Sequence, residues 1–140
     1  MIVAARVIVI DRYGAVVEDA ARGVRLQVDG PVDRPHQVII ELGERAISVD
    51  LAVVRQALWL GHRRRAFGAL LDVDEERLRV VDAAWVDIMP IDDIDDGAFA
   101  ELRVRAGRYE VLLALADVVK ALAALPVVAL FAEPVGITRH

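Results

Sequence analysis

The sequence predicts a mainly β fold, small β-barrel-like units with short helices, in one compact domain over residues 1–140. It also divides into two β subunits, about 1–61 and 62–140. Three observations carry that prediction. Short β-branched runs recur at close spacing with Gly, Asp and Pro between them. Helical periodicity is confined to two brief stretches. The second half of the chain echoes the first.

In chain order, Arg6–Ile10 is β-branched, Asp11-Arg12-Tyr13-Gly14 supplies a turn, and Ala15–Val17 resumes extended chain, which makes a hairpin. Val24–Val28 alternates as a half-buried strand does, and a Pro-marked linker follows at 29–37. Val38–Leu42 and Ala46–Val49 flank Gly43-Glu44-Arg45 as a second hairpin. Asp50 is placed to cap a helix over 51–60, with Leu51, Val54 and Leu58 on one face and Gly61 as its stop. Residues 62–65 read as a loop. Strands follow at 70–73, 77–81 and 85–89, the last ended by Pro90, and then an acidic loop over 90–97. Glu101–Arg105 and Tyr109–Leu115 flank a Gly107 turn, a helix covers 117–125 up to Pro126, and Val127–Ala132 supplies a last strand.

The echo has a fixed offset. Setting Gly43 on Gly107 places Leu51 on Leu115, Ala52 on Ala116, Val54 on Val118, Ala57 on Ala121 and Leu58 on Leu122 without a gap. Segments 38–58 and 104–122 should therefore share one fold, a hairpin followed by a helix with the same buried face. A seam between two such halves is a natural groove for a partner.

Composition narrows function. Hydrophobic residues are 56% of the chain and charged residues 28%, enough apolar side chain for a real core. A formal charge of −5 argues against nucleic acid or an anionic membrane as partner. The longest apolar stretch, 121–132, carries Pro126 and is too short to span a bilayer, so no membrane insertion is expected. There is no cysteine, which removes disulfides and thiolate-held metals. With no secretory signal pattern at Met1–Arg6, a cytoplasmic protein is expected.

Chemistry-bearing side chains are scarce. There is one serine, Ser48, one lysine, Lys120, and three histidines, His36, His62 and His140, no two at the i, i+4 spacing of a metal pair. Ser48, His36 and Asp50 could form a triad only by assembling in space, and Ser48 reads as an ordinary strand residue. The acidic run Asp92–Gly97 fails as a calcium loop, since Ile94 and Arg103 fall where oxygen ligands are needed. No catalytic residue, metal ligand or cofactor is expected. One patch stands out in an acidic chain: Trp59, Leu60 and Phe67 bracket His62-Arg63-Arg64-Arg65. Aromatics beside arginines have the composition of a protein-docking hot spot, so Trp59, Leu60, Arg63, Arg64 and Phe67 are the candidate partner-binding residues.

Val38–Arg55 resembles the opening of the CheW-like chemotaxis adaptor family, a strand, Gly turn, strand and helix with Val54-Arg55 inside the helix. Gly107–Val119 resembles that family's closing segment, where a Gly turn leads to a Leu-Leu strand and a final helix. The family's Asn-x-Arg-Gly turn has no counterpart; Arg65–Asp72 stands in its place. The resemblance implies a non-enzymatic adaptor coupling chemoreceptors to a histidine kinase through protein contacts. Two other classes compete with it. A self-assembling scaffold subunit, a homo-oligomer, would use strand edges. A small enzyme would bring a histidine to the acidic cluster around Asp87–Asp96.

Overall fold

The computed structural model describes residues 2–29, 36–74, 77–92 and 100–123. Eight antiparallel strands close into one barrel in sequence order, each bonded to the strands before and after it, with β8 returning to β1. They are β1 (Ile2–Ile10), β2 (Val16–Asp29), β3 (Gln37–Glu41), β4 (Arg45–Asp50), β5 (Arg64–Asp74), β6 (Arg77–Asp92), β7 (Ala100–Ala106) and β8 (Tyr109–Ala114). Helix α1 (Leu51–Leu60) follows β4 and α2 (Leu115–Ala123) follows β8. The chain is mainly β, as its alternating runs predict, and its two halves run strand, strand, strand, strand, helix in turn. Each half supplies four strands of the single barrel, so neither half closes without the other.

Alternation decides what fills it. Val3, Val7, Val24, Leu26, Val38, Ile40, Ile47, Val49, Val86, Ile88, Leu102, Val104, Val111 and Leu113 point inward and are buried together. An eight-stranded barrel has an interior just wide enough for such side chains, so it is packed and not a pore. Arg6, Arg25, Arg65 and Arg105 stand on the outside, exposed. Apolar inside and charged outside is the reverse of a lipid-embedded barrel. Among the described residues no helix is long and apolar enough to cross a membrane.

Even-numbered strands of an antiparallel barrel all run the same way, so the helices after β4 and β8 lie at the same end. There α1 packs on β3–β6 and α2 on β7, β8, β1 and β2. Val54, Ala57, Val118, Ala121 and Leu122 are buried, with Leu51 buried and Leu58 and Leu115 partly so. The segments 38–58 and 104–122 thus each form a hairpin and then a helix, as the echo predicts. Gly43 and Gly107 make the two equivalent turns at φ 102° and 56°, a region that glycine enters without the Cβ penalty. Among the described residues, the other end carries the hairpin turns and no helix.

Local expectations need four corrections. Val16–Val17 and Val24–Val28 are one continuous strand, because Ala20-Ala21 stays paired with β1. The run 62–65 is not all loop: β5 begins at Arg64 and includes Arg65. Pro90 does not end β6 but pairs opposite Leu102. Pairing of β6 with β5 stops at Ile88, so among the described residues one edge is free at Pro90 and a missing N–H is tolerated there. Asp50 sits at the N-cap of α1 without capping it; its carboxylate accepts from Gln37 Nε2 at 3.2 Å, while the Leu51 N–H donates to the His36 carbonyl at 2.8 Å. Gly61 does stop α1, in the left-handed conformation, its N–H on the Ala57 carbonyl. The strand expected over Val127–Ala132 and most of the 90–97 loop lie outside the described residues.

Candidate protein-docking face

Pairing of β5 with β6 assembles a site that no short stretch of sequence contains. Opposite residues of an antiparallel pair share a face, and the register sets Arg65 opposite Asp87 and Phe67 opposite Trp85, all on the outside. The Phe67 and Trp85 rings stack at 3.8 Å between centroids and 28° between planes, yet remain 66% and 47% exposed. Arg65 lays its guanidinium over Trp85, 5.0 Å from the ring centroid. Asp87 accepts from Arg63 Nη2 at 3.0 Å and Nε at 3.2 Å and lies 3.8 Å from Arg65 Nε.

The next strands extend the patch. Arg105 is opposite Asp87 and Arg103 opposite Met89 on β7, and both arginines lie near Glu110 of β8, at 3.6 and 3.1 Å. Arg63, Asp87, Met89, Arg103 and Arg105 line a cavity of about 60 Å³. Four arginines against Asp87 and Glu110 leave this face positive on a chain of net charge −5. Arginine is well suited to such a face, since its planar fork meets carboxylates bidentately and stacks on rings.

The sequence-derived candidates separate. Arg63 and Phe67 belong to this face. Trp59 and Leu60 are half-buried on the last turn of α1. Arg64 is partly buried in β5, alternates away from Arg65, and its Nη1 donates to the Arg63 carbonyl at 3.3 Å. Sequence reasoning missed Trp85 and Arg65 as partners of Phe67. The available signal was the alternation of Arg65, Phe67 and Ala69 on β5 with Trp85, Asp87 and Met89 on β6.

Gly68 sets how closely β5 passes β4 behind the aromatic pair. A Cβ there would lie 2.3 Å from the Ser48 carbonyl oxygen and 2.5 Å from Val86 Cγ2. Only glycine lets β5 pass this close to β4. Phe67, on the opposite face, is carried outward.

The triad residues are differently engaged. Ser48 Oγ donates to Gln37 Oε1 at 3.2 Å, an amide that in turn holds Asp50. Asp87, the member of the acidic cluster whose side chain is described, is held by arginines, and among the described residues no histidine lines its cavity. Among the described residues no group of three His, Asp or Glu side chains could hold a metal ion. At the hairpin end, two clefts of about 550 and 360 Å³ share Arg45 and Tyr109 as lining. Gly43 and Glu44 line the first cleft where Gly107 and Arg108 line the second, so the clefts repeat as the halves do.

No protein-family model, no curated protein and no solved structure matches this chain.

Proposed function

We propose that the protein is a non-enzymatic, cytoplasmic interaction module that docks an acidic, apolar-bearing segment of a partner protein on the outer face of β5–β7. The observation that carries this reading is the exposed Phe67–Trp85 stack with Arg65 over it and Arg63 beside it. Two large rings held rigidly in water cost little further entropy on binding and offer an apolar anchor. The surrounding arginines steer an acidic partner towards it and fix its register. The resemblance to CheW-like adaptors gives the partner its most specific form, a chemoreceptor or histidine kinase.

Binding kinetics of captured partners, and of chemoreceptor and kinase signalling domains, test it. Arg63→Glu with Arg65→Glu should slow association in a salt-dependent way, whereas Trp85→Ala should mainly speed dissociation. Unchanged kinetics in folded variants would place the docking face elsewhere.

A further inference from the structure

Strands β2 and β6 are longer than the barrel uses. Pairing of β2 with β3 begins at Arg25 and pairing of β6 with β7 begins at Val86. Among the described residues, 16–24 and 77–85 are therefore laddered on one side only, to β1 and β5. A strand in that state offers a row of unused N–H and C=O groups to another chain. Both bare edges rise at the hairpin end, away from α1 and α2.

The edges match in detail. Each carries two consecutive valines, Val16-Val17 and Val80-Val81, at the same 64-residue offset that relates Gly43 to Gly107. In each the ladder skips the second valine: Glu18 and Val16 pair with Val9 and Ile10, and Asp82 and Val80 with Leu70 and Leu71. A bulge of this kind re-aims side chains, and all four valines stand 49–68% exposed. Bulges often blunt an edge, but here the side chains turned to water are apolar in both halves.

We infer that this end docks a second copy of the chain head to head, β2 of each protomer lying antiparallel beside β6 of the other. Charge decides the pairing. Glu18 follows the valines of β2, while Arg79 precedes those of β6. Setting Val17 opposite Val80 puts Glu18 opposite Arg79, with both charged side chains on the barrel-facing side of their strands. The β2 and β6 edges lie four strands apart around the barrel. A two-fold axis across the barrel axis therefore makes both seams at once, and the assembly closes as a dimer. The inference goes beyond the docking face at Phe67 and Trp85 and does not depend on it.

Sedimentation equilibrium of the full chain tests it. A concentration-dependent dimer is expected. Val17→Asp with Val81→Asp, at exposed positions, should keep the fold by circular dichroism and raise the dimer dissociation constant about tenfold or more. Glu18→Arg and Arg79→Glu should each weaken the dimer, and the two together should restore it. A wild-type monomer up to its solubility limit would overturn the inference, as would a dimer unmoved by the valine changes. Failure of the double charge swap to restore it would overturn the β2–β6 pairing. Phe67→Ala should leave the dimer intact; dissociation by that change would place the contact on the docking face instead.

Discussion

Gly68→Ala is the most informative single substitution, because its sign depends on one geometric fact. In an ordinary strand interior, alanine is more stable than glycine by about 0.5–1 kcal/mol, since it has less backbone entropy to lose. At position 68 the new methyl would sit 2.3 Å from the Ser48 carbonyl oxygen and 2.5 Å from Val86 Cγ2. Val86 can yield by a small shift. The Ser48 carbonyl is backbone of β4, and the β4–β5 pairing ends at Ser48 opposite Ala69. Relief therefore requires prising β5 from β4 at the end of their ladder. Overpacking of this kind costs about 1–3 kcal/mol, and a lost hydrogen bond adds about 1 kcal/mol. Set against the entropic gain, the expected net loss is about 1–3.5 kcal/mol. At about 4 °C per kcal/mol for a chain of this size, the melting temperature should fall by about 4–14 °C. Thermal unfolding followed by circular dichroism reads it directly. Gly23→Ala is the control: its Cβ meets only Ile2 Cγ2, at 2.8 Å, an exposed side chain that can swing away. A Gly68→Ala protein melting at or above the wild type would refute the account of how closely β5 is placed against β4.

Two further outcomes are expected. The Arg6 guanidinium donates to both Asp19 carboxylate oxygens, at 2.7 and 2.6 Å, and these bonds hold the Asp19 carboxyl below its usual range. A depressed carboxylate stabilises the fold above its unfolded pKa, and that contribution is lost as pH falls through the folded value. NMR titration should place the Asp19 midpoint below that of an ordinary aspartate, and Arg6→Ala should return it there; an unshifted midpoint in the wild type would break the assignment. Millimolar Ca²⁺ or Mg²⁺ should leave the melting temperature unchanged, because the calcium spacing fails at Ile94 and Arg103. A rise of several degrees would reveal a bound cation.

By itself the sequence determined the local elements whose pattern is written in adjacent residues. Val38–Leu42 and Ala46–Val49 flank the Gly43 turn as short apolar runs, and Leu51, Val54 and Leu58 recur at helical spacing up to Gly61. Their counterparts 64 residues later do the same, so both hairpin–helix units were legible, as was the mainly β class. What alternation cannot carry was left to the tertiary structure. Ala20-Ala21 and Ala83-Ala84 have no polar–apolar contrast, so the continuity of β2 and β6 comes only from pairing with β1 and β5. Pro90 looked like a terminator until the pairing of its strand with β5 was known to end at Ile88, opposite Arg64. The candidate site divided the same way. Arg63 and Phe67 could be singled out as basic and aromatic neighbours in the chain. Trp85 and Asp87, far from them in sequence, became their partners through a register that a one-residue slip would turn to the opposite face. Register is a property of two strands at once, fixed here by inward packing of Val86 and Ile88 and by the room that Gly68 leaves against β4, and only the closed barrel decides it.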